Sequence, residues 1–482
     1  MSDIASRFSG VWNKFKRGEK HDSLRSRPSS LASRPSSLVP SISSLVSRPS
    51  KVFVLGIDGV PCSLLREFMG QGIMPNLAEV VKQGTLKPMD ASIPEVSSTS
   101  WSTFMTGVNP GRHNIYGFTE LDQSSYKWRF PNFNDIKSPT LWDIAGRQGK
   151  ASIVINLPST YPARPLKGIL TAGFVALDLQ KATYPESAYQ YLKGIDYKMD
   201  VDTQKAQVSP AALAEDIMAT FRKRKEAILG LMEKETWDLF IGTITETDRL
   251  HHYLWSALVD KAHPQHGFFI DFYRELDAVI GEIYGRLDDN ISLIMLSDHG
   301  FTEIKKEIYL NTWLREKGYL KFKKEPPGSF EDIHGETKVF VLDPSRFYVH
   351  LKGKYPLGSV SGGTEYEDLR NRLREDLLSL TIDGQRVVKA VFFKEELYKG
   401  PCYDDAPDVV ALPVDGFDLK GAINKDTLTG RSLLTGGHTR SDATFYINRP
   451  IEMDGINIID AGVTALKQLG IEEKGLEGRA LG

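Results

Sequence analysis

Cysteine is almost missing from this chain of 482 residues: only Cys62 and Cys402 are present, and no Cys-x-x-Cys pair occurs. That excludes a disulfide framework and a cysteine zinc site, and it suits a reducing compartment. Long apolar runs are absent too, none reaching the eighteen or so residues that span a bilayer as a helix. The N-terminus lacks the compact apolar core and small-residue cleavage site of a secretory signal, so the expected location is cytoplasmic. A large excess of one charge is also lacking. The net charge of -2 provides no global field for nucleic acid, and none is expected as a partner.

The near-neutral total hides an asymmetry. Residues 1–51 hold ten Lys and Arg against three Asp and Glu, which puts +7 on this segment and -9 on the rest. Within it, Arg-Pro-Ser-Ser-Leu stands at 27–31 and again at 34–38, and Ser-Arg-Pro-Ser at 47–50. Such Ser- and Pro-rich sequence cannot bury enough apolar surface to fold, so residues 1–50 read as a basic, largely disordered tail. Its start differs: Ile4, Phe8, Val11, Trp12 and Phe15 share one helical face beside Arg7, Lys14, Lys16 and Arg17. A helix over residues 3–17 with that pattern suits an anionic membrane surface or a protein partner, and the alternative is a partly helical tail with no fixed partner.

With 41% hydrophobic residues, the remainder, 51–482, can bury a large core. Three continuous apolar runs organise it: Val52–Ile57, Leu239–Thr245 and Leu293–Leu296. Each reads as a strand buried on both faces, and each ends in acids or histidines. Asp58-Gly59 follows the first, Glu246-Thr247-Asp248-Arg249 and then His251-His252 the second, and Asp298-His299-Gly300 the third. Further strands are expected at Ala151–Asn156 and Gly168–Phe174. Helices are expected from Pro61 to about Gln83, over 209–234, from about Phe268 to Leu287, over Glu365–Leu380 and near Ala461–Leu469. The alternation up to residue 300 implies an α/β fold, a mostly parallel sheet sandwiched by helices. Beyond it, shorter strands mark a smaller α+β insert at about 319–430.

Side chains that leave the carboxyl ends of parallel strands share one crevice, and this gives the polar run-ends a meaning together. Alone, Asp298-His299-Gly300 is more often a turn than a site. Asp248 and His252, however, lie at i and i+4, on one face of a helical turn and able to bind one metal. Gly436-Gly437-His438 forms a glycine-led loop with a lone histidine. Pro94–Trp101 leads a hydroxyl cluster, Ser97 to Ser100, into a helix whose N-terminus either binds an anion or is simply capped by serine. Asp58, Asp248, His252, Asp298, His299 and His438 are six residues able to bind metal, and Ser97 adds a hydroxyl.

These pieces resemble the alkaline phosphatase superfamily, in particular its type I phosphodiesterase and nucleotide pyrophosphatase branch and the related phosphohydrolases or phosphomutases. The matching segments are GIDG at 56–59, STFMTGVNPGRHNIYGF at 102–118, TETDRLHH at 245–252, SDHG at 297–300 and GGH at 436–438, with INLPSTYP at 155–162 and APDVV at 406–410. The resemblance covers roughly residues 51–450 and implies an alkaline phosphatase-like fold with two divalent metal ions, zinc first, manganese accepted by the same ligands. It places Asp248, His252 and His438 on one metal, and Asp58, Asp298, His299 and the nucleophile Ser97 on the other. Thr99 is the second candidate for the nucleophile. Where nucleotide-specific relatives carry Asn three residues after the nucleophile, this chain has Ser100.

The activity implied is hydrolysis of a small-molecule phosphate ester, diester or monoester, through a phosphoserine. A phosphomutase is the alternative within the superfamily, and a non-catalytic binding protein on the same fold the alternative outside it. Arg112, His113, Arg249 and Arg440 adjoin the motifs and either contact substrate or serve as salt bridges and supports. His251 reads as structural. The surroundings of Cys62 do not form a sulfatase signature.

Overall fold

The computed structural model describes residues 51–482. The basic tail, with the helix expected over 3–17, lies outside the described residues.

The apolar run after Lys51 forms β1 (Lys51–Ile57) at the heart of a nine-stranded sheet. Its side chains alternate between faces as strand geometry requires. Phe53, Leu55 and Ile57 enter one core, and Val52 and Val54 the other. Because helices cover both sides, neither set can be polar, which is why the run is continuous rather than alternating. Each such side chain stabilises the fold by about 1.5–3 kcal/mol relative to its exposed state.

In chain order the remaining strands of this sheet are β2 (Thr85–Asp90), β3 (Ser152–Leu157), β4 (Gly168–Ala172), β5 (Thr183–Tyr184), β6 (Leu239–Ile244), β7 (Ile291–Leu296), β8 (Ala443–Ile447) and β9 (Ile456–Asn457). Their spatial order is β9-β2-β8-β7-β1-β6-β3-β4-β5. The block β7-β1-β6-β3-β4 is parallel. Antiparallel pairs enter at β8 against β7 and β2, and at β5 against β4. The sequence reading anticipates the parallel block and misses β2, β5, β8 and β9, short segments without a long continuous apolar run.

Register aligns the chemistry. Ile57 is level with Ile244, and Gly56 with Leu296, so Asp58, the turn after β6 and the turn after β7 emerge at one edge. The helix expected from Pro61 to Gln83 is instead two, Cys62–Gly70 and Pro75–Val81. Gly72 between them adopts φ +72°, a left-handed conformation that ends the first, and Pro75 opens the second. Helix 209–234 is observed as Pro210–Lys234, with the Ser209 hydroxyl accepting from the Ala212 N–H as its cap.

A third core gathers residues of 308–423, including Ile308, Trp313, Phe340, Phe347, Leu373 and Val409, around a four-stranded sheet. Leu121 and Tyr126 join it from the earlier part of the chain. Among the described residues, no helix is long and apolar enough to cross a membrane.

Candidate active site

Two helices deliver side chains to the strand edge. The first, α1 (Ser97–Thr106), begins at the hydroxyl cluster, but its cap residue is Val96 and no side chain caps it. Simple serine capping is therefore not what the hydroxyls do, and the partial positive charge of the helix start faces the site uncapped. Ser97 Oγ lies 3.1 Å from His299 Nε2 and 3.4 Å from Asp58 Oδ1. Trp101, one turn further, donates its indole N–H to Asp58 Oδ2 at 2.9 Å. Thr99 and Ser98 are buried with hydroxyls that have no hydrogen-bond partner, and Ser100 bonds Ser92 at 2.8 Å. Of the four hydroxyls, Ser97 is the one in contact with the acid and histidine ligand candidates.

The second helix, α2 (Glu246–Val259), carries Asp248 and His252 on one face, with Asp248 Oδ1 3.3 Å from His252 Nε2. His438 arrives from far along the chain. The glycine-led loop expected there is a strand, Gly436–Thr439, paired antiparallel with Gly300–Glu303 so that His438 stands opposite Phe301. Close approach explains the glycine at 436: a Cβ there would fall 2.4 Å from the His251 carbonyl oxygen. His438 Nε2 then lies 3.0 Å from His252 Nε2 and 3.4 Å from Asp248 Oδ1.

Tautomers follow from the far sides of the rings. His252 Nδ1 donates to the Gly436 carbonyl at 2.9 Å, His438 Nδ1 to the Glu95 carbonyl at 2.9 Å, and His299 Nδ1 to the Gly300 carbonyl at 3.0 Å. A carbonyl only accepts, so each Nδ1 carries hydrogen, and each ring, when neutral, presents a bare Nε2. Asp248 Oδ1, His252 Nε2 and His438 Nε2 thus turn three electron pairs toward one point. Their separations of 3.0–3.4 Å are close to the edge, about 3.3 Å, of a tetrahedron with zinc-nitrogen bonds of about 2.0–2.1 Å. A second cluster forms beside it: His299 Nε2 lies 3.6 Å from Asp58 Oδ1, 3.4 Å from Asp298 Oδ2 and 3.9 Å from Asp248 Oδ1. Asp248 Oδ1 and Asp298 Oδ2 are buried without a hydrogen-bond partner. Buried acceptors with no donor are costly, and a cation is the group that satisfies all of them at once. The residues of both clusters therefore fit divalent cations.

The electrostatics agree. Burial, then repulsion from Asp298 and Asp248, pushes the Asp58 carboxyl well above its ordinary range. Asp298 is pushed up to about 7, by burial first and with the charge of Asp248 adding to it. Burial and then His438 push His299 down to about 4, which keeps it neutral as a ligand must be. Asp248 lies well below the carboxylate range; burial opposes this, and His252, His438 and Arg249 outweigh it.

All seven candidates meet at this edge. The flanking residues divide differently. Arg249 is ion-paired with Asp248 and Asp200 at 2.9 and 2.8 Å, Arg440 with Asp90 at 2.8 Å, and Arg112 with Glu477 at 3.5 Å. His113 is fully buried against Thr103 at 3.0 Å and supports α1. His251 bridges the Gly59 carbonyl and the Tyr273 hydroxyl at 2.8 and 2.7 Å, the structural role expected of it. Trp101, the carbonyls of Glu95 and Gly436, and Asp200 escape the sequence reading. Trp101 alone carries a signal, its i+4 spacing from Ser97.

Comparison with known proteins bears on this geometry. Among solved structures, phosphonoacetate hydrolase from Sinorhizobium meliloti 1021 superposes with a TM-score of 0.61 at 16% identity, covering 87% of this chain and 96% of that one. Murine ectonucleotide pyrophosphatase/phosphodiesterase 5 superposes with a TM-score of 0.53 at 14% identity, covering 89% and 97%. At these identities the likeness concerns the fold alone. Comparison with curated proteins finds no match. The family model for type I phosphodiesterase / nucleotide pyrophosphatase matches residues 52–441, a span that holds the three acid-bearing strand ends, α1 and the strand of His438, and the chain belongs to that family.

Proposed function

We propose that this protein hydrolyses phosphoric diesters with Ser97 as nucleophile, using two divalent metal ions held by the two clusters. The observation that carries this reading is the Ser97 hydroxyl, 3.1 Å from His299 Nε2 and 3.4 Å from Asp58 Oδ1 at the uncapped start of α1. Asp248, His252 and His438 would hold one ion, and Asp58, Asp298, His299 and Ser97 the other. Such a pair lowers the pKa of a coordinated hydroxyl and neutralises charge on the leaving oxygen, and mixed imidazole and carboxylate ligands suit zinc, with manganese also accommodated.

The chain's own groups perform the rest. Ser97 Oγ forms a bond to phosphorus as the bond to the leaving alkoxide breaks; the proton given up by Ser97 balances the one the alkoxide takes up as an alcohol, and the second ester group stays on the serine-linked phosphoryl group. Water then displaces Ser97 Oγ and regenerates the hydroxyl. The N–H groups of the first turn of α1 face the phosphoryl oxygens as charge grows on them. Trp101 holds Asp58 by one oxygen, leaving the other toward Ser97. The cations beside the motifs, Arg112, Arg249 and Arg440, are already ion-paired, so the second charge of a monoester finds no free partner among them. That favours the singly charged diester.

The test is turnover of bis(4-nitrophenyl) phosphate against 4-nitrophenyl phosphate. The diester is expected to be the better substrate. Ser97→Ala is expected to lose turnover on the order of a millionfold, as nucleophile deletion does in a serine hydrolase, with metal content unchanged. Normal turnover in Ser97→Ala removes it from the role.

A further inference from the structure

Asp248 stands where the two clusters meet, and its carboxylate is gripped from behind. Arg249 donates NH1 to Asp248 Oδ2 at 2.9 Å and turns its other edge to Asp200, Nε to Oδ1 at 3.2 Å and NH2 to Oδ2 at 2.8 Å. The guanidinium carbon lies 4.6 Å from the centroid of the Phe174 ring, and Arg249 is buried. Asp200 comes from the loop between helices Glu186–Gly194 and Lys205–Val208, remote in sequence from the site.

A second arginine ties the same loop to the same helical turn. Arg224, fully buried, donates NH2 to the Met199 carbonyl at 2.9 Å, and NH2 and Nε to Glu246 Oε1 at 2.9 and 3.2 Å. Lys198 and Lys205 fasten the loop to Asp216 at 3.0 and 2.6 Å. Residues 199 and 200 are therefore clamped onto the first turn of α2 by two guanidinium groups.

The consequence lies in the geometry of the fork. With Nε and one terminal nitrogen matched to Asp200, the guanidinium is held in one orientation and reaches Asp248 with its other terminal nitrogen alone, so it takes Oδ2 and leaves Oδ1 free. Without Asp200, the same fork can swing or grip both Asp248 oxygens, which turns Oδ1 away from the ligands it faces at 3.3, 3.4 and 3.9 Å. We propose that Asp200 is a positioning residue that, through Arg249, fixes Asp248 as a one-oxygen ligand facing both metal clusters. The inference rests on the metal-dependent reading above.

The experiment uses the full chain stripped of metal and titrated with Zn2+ against a chromogenic chelator. Asp200→Asn is expected to lower apparent Zn2+ affinity by about 10- to 100-fold, the usual cost of losing a partner behind a metal ligand, with its far-UV circular dichroism retained. Diesterase activity of the variant is expected to return as Zn2+ is raised, which a purely structural defect would not allow. Arg249→Lys keeps the charge, loses the fork and should show the same loss; it also stands in if Asp200→Asn does not fold. Because both act through one contact, adding Asp200→Asn to Arg249→Lys should cost little more. Asp200→Asn with affinity within about twofold of wild type, or fully additive losses, overturns the proposal, since a supporting partner should cost tenfold or more. A wild-type protein that takes up no Zn2+ overturns both this proposal and the metal-dependent function. Normal Zn2+ uptake by Asp200→Asn beside an inactive Ser97→Ala overturns this proposal alone.

Discussion

Metal binding should register first as stability, because the two clusters gather buried acceptors that a cation would satisfy together. The perturbation is the addition of Zn2+ or Mn2+ to protein dialysed against a chelator. Free ion at about 100 times the dissociation constant stabilises the folded state by about 2.7 kcal/mol per site, so two sites contribute about 5.4 kcal/mol. Unfolding entropy is about 2.1 cal/mol/K per residue, hence about 0.9 kcal/mol/K for the 432 described residues. The expected rise in Tm is about 6 °C. His438→Ala removes an Nε2 that lies 3.0 and 3.4 Å from the other two members of its cluster and leaves the second cluster whole, so it should retain about half the rise. Differential scanning fluorimetry over a metal series, with wild type and His438→Ala side by side, reads this directly. An unchanged Tm in the wild type, or a full rise in His438→Ala, refutes the two-cluster reasoning.

Two further outcomes separate the roles of neighbouring groups. Thr99→Val removes a buried hydroxyl that makes no hydrogen bond, so stability should hold or rise slightly and diesterase turnover should stay near wild type; a loss like that of Ser97→Ala would transfer the nucleophile role to Thr99. Metal uptake should also depend on pH in a defined direction. Asp298, pushed up to about 7, keeps its proton below that pH in the metal-free protein, and an incoming cation must displace it. His299, pushed down to about 4, is already neutral and releases none in this window. Apparent affinity is therefore expected to fall as pH drops below 7, by about tenfold per unit for each proton displaced, and chelator competition at pH 5.5, 6.5 and 7.5 checks it. A flat profile would contradict the Asp298 assignment.

The parallel block of the sheet is legible in the sequence because burial on both faces forces continuous apolar runs, and β1, β6 and β7 show them. The antiparallel additions are not legible in the same way. β2 carries Lys87 and Pro88 and is only partly buried, so its sequence resembles a loop until β8 pairs with it. For the site, residue type and spacing determine the parts: an acid beyond each of three strands, Asp248 and His252 one turn apart, and a serine-rich helix start. What spacing cannot reach is whatever depends on a distant backbone. His438 becomes a ligand candidate because strand 436–439 pairs with 300–303, and its tautomer is set by the Glu95 carbonyl.

The same division separates Ser97 from Thr99. Both are hydroxyls within three residues, equivalent by type, and only the direction in which α1 enters the site turns Ser97 toward Asp58 and His299. Asp200 is the extreme case: nothing near it in sequence marks it, and its contact with Arg249 exists because Arg224, Lys198 and Lys205 hold its loop against α2 and helix Pro210–Lys234. Sequence by itself determined which chemical groups are available and the strand ends they leave from, since burial and periodicity are local. Tertiary structure alone decided which groups face one another, because hydrogen bonds and ion pairs act over about 3 Å between segments the chain brings together only on folding.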